Sequence, residues 1–468
     1  MNEVDFNLLD EPWIIVANAQ GQEETLTLTE TLVRSHELAS ISGEMTAQDI
    51  SITRLLLGVL YTIYTRTDEY KEAQDYNNGD MCTEIWKNMW KRGHFPENEI
   101  TEYLEAYRDR FWLIHPGRPF YQVASLETLD KSHFITSKMI GDIVESANKT
   151  PLFSSRTGRG KQKLLYPEAA RWLIHLNSFD DAALKKTKLD YDHDSNSWKA
   201  TTRDFESIGP GWLGQLGLVY AMGNNLFETL MLNFTLRQSS QEPWESGKAA
   251  WELETPRSSE RTSIVMPTSG EELFTLQSRR IYLKRVDGVV VGFVIIGGDH
   301  FSKEDAFNEP MTMWRLKKDK QKDSYFPKTE QSTSKQFWRD FAPLMAKTDG
   351  SRKPCILKWL DTLRSKRAIP SRHVRICTLN IIYGKNVCGI KEVWSDAISI
   401  NTTILSELGD NWQVGISELL NSQVASGKSI LEPMCPAYAG MLPLEICLYV
   451  NEVNVPRIRG DAPETRNS

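Results

Sequence analysis

The apolar positions change period several times along the chain. Ile14-Ile15-Val16 is a short apolar run before a turn at Gly21, and it predicts a strand. Leu26, Leu28 and Leu32 punctuate a threonine-rich segment and predict a returning strand. Helical spacing follows. Ile52, Leu55, Leu56, Val59, Leu60 and Ile63 form one stripe, and Ile85, Trp86, Met89 and Trp90 a second. Tyr103, Leu104, Tyr107 and Phe111 predict a third helix, stopped by His115-Pro116-Gly117. Ala169, Trp172, Leu173 and Leu176 give another, with Pro167 suited to its first turn and Asn225 placed to cap the next. From Phe274 to Ile296 the pattern alternates, with a hairpin turn at Val286-Asp287-Gly288-Val289. Val374 to Ile382 is a further strand. Trp338, Phe341 and Leu344 open more helix, and Ile400 to Val424 holds one or two helices. Helices and strands therefore both occur along the chain.

Composition narrows the function. Of 468 residues, 40% are hydrophobic and 25% charged, an ordinary globular balance. The net charge of −7 argues against coating nucleic acid through bulk charge, so such contact must come from local basic patches. Six scattered cysteines form no C-x-x-C pair, and no zinc site or disulfide framework is expected. The acidic start and the lack of a long apolar run predict neither signal peptide nor membrane span, hence a cytoplasmic protein.

One basic loop stands out. Phe153 to Lys163 carries Arg156, Arg159, Lys161 and Lys163 around Gly158 and Gly160, with no acid nearby, and leads into the Pro167 helix. Glycines let the backbone approach closely, and a helix N-terminus favours phosphate oxygens. It is not a Walker A loop, because Ser155 and Gln162 stand where glycine and a hydroxyl are required. The plain alternative is a solvated loop. A second basic run, with Lys317, Lys318, Lys320 and Lys322, follows Trp314 and faces solvent or a polyanion. The polar Lys185–Ser207 segment reads as an exposed insertion. The glycine-dense Gly209–Gly217 run reads as tight packing, with a ligand wall as the alternative.

Catalytic patterns are missing: no G-x-S-x-G, no H-E-x-x-H, and no G-x-G-x-x-G after a strand. His193 with Asp194, and Asp299 with His300, give a runner-up reading, a metal-dependent phosphohydrolase acting on nucleic acid.

Six stretches, in order, resemble the CasA family, the large subunit of the type I-E CRISPR Cascade surveillance complex. They are Phe6 to Ile14, Arg118 to Gln122, Leu165 to Phe179, Gly211 to Gly217, Thr275 to Arg280, and Glu309 to Thr312 with Trp314. The resemblance implies the α+β class: a large mixed N-terminal domain (residues 1–395) with irregular loops and short sheets, then a C-terminal helical bundle, shortened here to a segment at 396–430. It implies no catalysis and no cofactor. It implies recognition of the protospacer-adjacent motif (PAM) on double-stranded target DNA, largely from the minor groove, and the start of R-loop formation against the guide crRNA. It implies a glycine loop, a lysine finger and a wedge. Arg156, Gly158, Arg159, Gly160, Lys161 and Lys163 fall at the glycine loop. Lys317, Lys318, Lys320 and Lys322 are finger candidates, and Lys385, Asn386 and Val387 stand where the family has a glutamine wedge. Implied partners are the Cascade backbone and small subunits and a helicase-nuclease or other effector recruited in trans, with no membrane.

The end of the chain departs from the family's full helical bundle. Cys435-Pro436-Ala437-Tyr438-Ala439-Gly440-Met441-Leu442-Pro443 and Pro456-Arg457-Ile458-Arg459-Gly460-Asp461-Ala462-Pro463 read as one DNA sequence in two frames, similar to a type I-E CRISPR repeat. Residues 431–468 are expected to be an unselected, disordered tail translated from such repeats.

Overall fold

The computed structural model describes residues 4–128, 133–140, 162–181, 187–192, 197–202, 209–261, 264–300, 308–312, 314–317, 324–327, 351–370, 372–384 and 389–402. Its centre is the Thr46–Tyr64 helix, buried on every face, as a helix with apolar residues all round must be. The Tyr166–Phe179 helix and the short Gly270–Phe274 helix pack against it. Tyr61 meets Phe234, Trp244 and Phe274 with ring centroids 4.6, 5.9 and 4.9 Å away. These tilted and edge contacts are the arrangements ring quadrupoles favour.

Small antiparallel sheets surround this centre. Ile14–Asn18 runs between Glu23–Leu26 and Leu38–Ile41. Arg279–Val286 and Val289–Gly297 form the expected hairpin, and His133–Ile135 adds to the second strand. Asp287 and Gly288 both take positive φ, 51° and 75°, which a right-twisted two-residue hairpin turn requires. His373–Tyr383 runs between Ile390–Asn401 and Leu218–Met222. Trp314–Lys317 lies between Ser324–Pro327 and Ser351–Arg352. The polar insertion folds as a hairpin of Thr187–Asp192 and Ser197–Thr202. The α+β class holds.

Four local expectations are corrected. Leu28 and Leu32 belong to a helix, Leu28–Val33, not to the returning strand, which ends at Leu26. Thr27 starts that helix with a reciprocal capping box, its hydroxyl accepting from Glu30 N–H and its own N–H donating to the Glu30 carboxylate. The third helix stops at Ala106, because Trp112–Ile114 is drawn into a pair with Asp5–Asn7. Phe274 and Thr275 precede the strand, which begins at Arg279. Residues 396–401, placed in a helical segment, complete the strand from Ile390. The Trp338–Leu344 helix and everything after residue 402 lie outside the described residues.

Candidate nucleic-acid interface

Arg156, Gly158, Arg159, Gly160, Lys161, Lys318, Lys320, Lys322, Lys385, Asn386 and Val387 also lie outside the described residues. What the structure shows is how their segments are anchored. Lys163 is exposed, one residue before a fixed point. There Leu164 N–H donates to the Val290 carbonyl and Val290 N–H to the Leu164 carbonyl, both at 2.9 Å. The Tyr166–Phe179 helix starts immediately after, with Pro167 in its first turn as the sequence predicts.

The strand ends that flank residues 385–388 are tied to the other end of that helix. Gly384 N–H donates to the Gly389 carbonyl at 2.8 Å, closing the ladder below residues 385–388. The Tyr383 hydroxyl donates to the Phe179 carbonyl at 2.8 Å, and Gly389 N–H to the Asp181 carboxylate at 2.7 Å. Fourteen helical residues separate the two anchors, about 21 Å at 1.5 Å per residue. Leu164, which follows the basic segment, and Tyr383 and Gly389, which flank residues 385–388, therefore sit at opposite ends of one buried helix. Lys317 ends the Trp314–Lys317 strand, on a different small sheet, whose Trp314 side chain is buried. That segment joins the sheet of His373–Tyr383 through Val219 N–H, which donates to the Met311 carbonyl at 2.7 Å.

The glycine-dense run packs as the sequence suggests. A Cβ on Gly211 would collide with the Ser178 carbonyl, and one on Gly214 with the Tyr383 hydroxyl. Its glycines allow Tyr383 and the helix C-terminus to close on each other.

The stretches behind the family resemblance turn out to be polar joints of the fold. Arg171 donates to the Trp13 carbonyl at 2.7 Å and pairs with Glu44. Gln122 donates to the Leu113 carbonyl at 2.7 Å and accepts from Leu283 N–H at 2.9 Å. Ser278 accepts from Trp212 N–H at 2.9 Å. Arg279, fully buried, pairs with Asp180 and donates to the carbonyls of Gly209 and Asp181. Glu309, also fully buried, accepts two hydrogen bonds from Arg54, at 2.9 and 3.0 Å. No local pattern pointed to Arg54, whose partner is 255 residues away.

The runner-up metal reading meets a direct obstacle. Asp299 is committed to arginines: Arg280, Arg261 at 2.8 Å and Arg257 at 3.5 Å. Burial works against its charge, but Arg280 and Arg261 outweigh it and hold the carboxyl below its ordinary range. It is a structural anion, not an open ligand. Among the described residues no group of three or more His, Cys, Asp or Glu side chains could hold a metal ion. His193 and Asp194 lie outside the described residues.

The profile of the family described as CRISPR-associated protein Cse1 matches residues 7–433. The chain belongs to the Cse1 family. A curated relative, CRISPR-associated protein CasA/Cse1 of Thermus thermophilus, is 29% identical over 350 residues, covering 74% of this chain. The match spans 61% of that relative's length. The fold is shared with the crystal structure of Thermobifida fusca Cse1, at TM-score 0.78 and 24% identity, over 96% of this chain and 86% of the other. A chain of a solved CRISPR RNA-guided surveillance complex aligns at TM-score 0.69 and 17% identity, over 91% and 83%. No helix among the described residues is long and apolar enough to cross a membrane.

Proposed function

We propose that this chain is the large, non-catalytic subunit of a type I-E-like Cascade complex, working in the cytoplasm. In this reading it recognises a PAM on double-stranded DNA and starts crRNA-guided R-loop formation. The observation that carries it is the Cse1 family match across residues 7–433. The likeness to a chain of an RNA-guided surveillance complex supports it. The partners are crRNA, target DNA, the backbone and small subunits, and an effector recruited in trans.

The basic glycine loop, Arg156 to Lys163, supplies phosphate contacts and a close backbone approach. One lysine among Lys317, Lys318, Lys320 and Lys322 acts as the finger. Asn386 or Val387, flanked by Lys385, acts as a steric wedge, since splitting a base pair needs bulk more than a particular amide.

The test is binding of the assembled complex to duplex libraries with randomised flanking bases. Sequence-selective enrichment is expected with the wild-type chain. Changing Arg156, Arg159 and Lys161 together to Ala removes up to three phosphate contacts, so the salt slope falls by about 2.7. No enrichment by any complex containing this chain refutes the reading. The tail reading, residues 431–468 as translated repeat, rests on the nucleotide sequence of the gene. It requires a direct repeat beginning at codons 435 and 456.

A further inference from the structure

We propose that Arg110 and Arg118 form a separate phosphate site, holding the backbone of a nucleic-acid strand away from the segments already assigned to PAM reading. The inference rests on the Cascade reading above. On a chain of net charge −7, arginines tend to be matched by acids. Arg108, two residues from Arg110, illustrates this: it pairs with Asp10 and with Glu105. Arg110 and Arg118 depart from the pattern. Neither closes an ion pair with a carboxylate among the described residues, although both line one cleft together with Arg257. Asp109 and Glu254 are near enough to act on Arg110, yet neither reaches it. Burial, reinforced by the Arg118 charge, lowers the Arg110 pKa. Two like charges held together favour a bound anion.

The cleft is built rather than incidental. Its floor includes Phe120, Trp251 and Gln122. Phe120 packs against both Phe111 and Trp251, with centroids 5.3 and 6.4 Å away, and those two rings meet each other at 5.6 Å. Arg118 is set by a tight turn, in which Gly117 N–H and Arg118 N–H donate to His115 Nδ1 at 3.0 and 2.9 Å. Burial, with help from the two arginines and against Asp109, keeps the His115 pKa below its usual value, so the ring stays a neutral acceptor. Arg110 is set by a turn of its own, its N–H donating to the Tyr107 carbonyl at 2.8 Å.

The cations continue beyond one cleft. A second cleft shares Ala250, Leu253, Arg257 and Gln277 with the first, and Lys248 stands on it. Lys248 is exposed and makes no ion pair among the described residues. A single acidic side chain would need only the Arg110–Arg118 fork. Arg257 is already matched by Glu272 and Asp299, which line the second cleft too, so the unmatched cations among the described residues of the two clefts are Arg110, Arg118 and Lys248. Three of them spread over two adjoining clefts suit an anion that repeats, which is what a phosphodiester strand presents.

The experiment uses the full chain and two fluorescein-labelled probes, a short single-stranded RNA and a duplex DNA, each titrated by anisotropy over a salt series. Arg110→Ala/Arg118→Ala is expected to weaken binding to at least one probe about tenfold at low salt. On the single strand the salt slope should fall by about 1.4, the contribution of two phosphates. Arg110→Lys/Arg118→Lys should keep the slope, because charge is retained. Arg118 is exposed and Arg110 half-buried, and an unchanged melting curve confirms folding. A double-Ala chain that binds both probes with unchanged affinity and slope overturns the site while leaving the Cascade reading standing. If poly-glutamate binding is lost and nucleic-acid binding is not, the cleft serves an acidic protein and the proposal falls. A wild-type chain that binds neither probe, alone or in the assembled complex, removes the Cascade reading and this site with it.

Discussion

Replacing Glu309 by Ala should lower the melting temperature by about 4–6 °C. The carboxylate is fully buried and holds four groups. Both terminal nitrogens of Arg54 donate to it, at 2.9 and 3.0 Å, as do Met311 N–H at 3.1 Å and Trp212 Nε1–H at 3.3 Å. Arg54 is itself buried, and its guanidinium lies 4.4 Å above the Phe274 ring. Cutting Glu309 strands that charge in the core, which typically costs about 3–5 kcal/mol. Unfolding entropy is roughly 2.1 cal/mol/K per residue, or about 0.8 kcal/mol/K for some 400 cooperating residues, so the loss converts to the stated shift. The assay is thermal denaturation followed by near-UV circular dichroism, with a double-mutant cycle. Arg54→Met/Glu309→Met should recover at least half of the loss, since an apolar pair of similar volume leaves no uncompensated charge. A single Ala variant melting within about 1 °C of wild type would refute the reasoning. So would a double variant no better than the single one, because the penalty would then not come from the orphaned guanidinium.

Asp49 lines a cavity of about 480 Å³ between the Thr46–Tyr64 helix and the His373–Tyr383 sheet, and burial raises its pKa from 3.8 to about 6. The unfolded chain releases this proton first, so stability falls as pH rises from about 4 to 6. Asp49→Asn should therefore gain about 1–2 kcal/mol at pH 7.5 and nothing near pH 3.5, read from urea midpoints at the two pH values. His175 acts in the opposite sense. It is buried, neither ring nitrogen has a hydrogen-bond partner among the described residues, and burial lowers its pKa from 6.5 to about 3. Stability is lost as pH falls below about 6.5, so His175→Leu should shift the acid-unfolding midpoint to lower pH. Gly288→Val should cost about 1–2 kcal/mol, because φ of 75° is left-handed and a branched residue resists it. An unchanged denaturant midpoint would remove that turn assignment.

Elements settled by near neighbours were legible in the sequence. The Asp287-Gly288 turn, the Asn225 cap donating order to its helix through Glu228 N–H at 2.8 Å, and the apolar stripe from Ile52 to Ile63 need only a few adjacent residues to define them. The Leu28–Val33 helix was legible too, from Thr27 and Glu30 at capping-box spacing, but leucine periodicity masked it. Where a distant strand decides, local spacing fails: Tyr103, Tyr107 and Phe111 keep helical intervals, yet pairing with Asp5–Asn7 makes the following residues a strand.

The candidate site was less legible than the family, and the reason is physical. The residues that carry the family resemblance are buried polar groups whose partners lie far along the chain: Arg279 with Asp180, Glu309 with Arg54, Gln122 with Leu283. Each must keep its chemical type, because an unpaired buried group costs as much as a core cavity. Such residues identify a fold whether or not it binds anything. The candidate finger cations obey no comparable constraint. Lys317 through Lys322 can exchange roles with one another at little cost to folding, so spacing alone does not select the finger. Family membership and the proposed PAM reading therefore rest on different residues and can fail separately. A chain with Glu309 replaced should melt early yet keep the salt slope of its DNA binding at low temperature. A chain lacking Arg156, Arg159 and Lys161 should melt normally and lose that slope. If both variants lost stability and slope together, the joints and the loop would form one cooperative unit, and the separation argued here would be wrong.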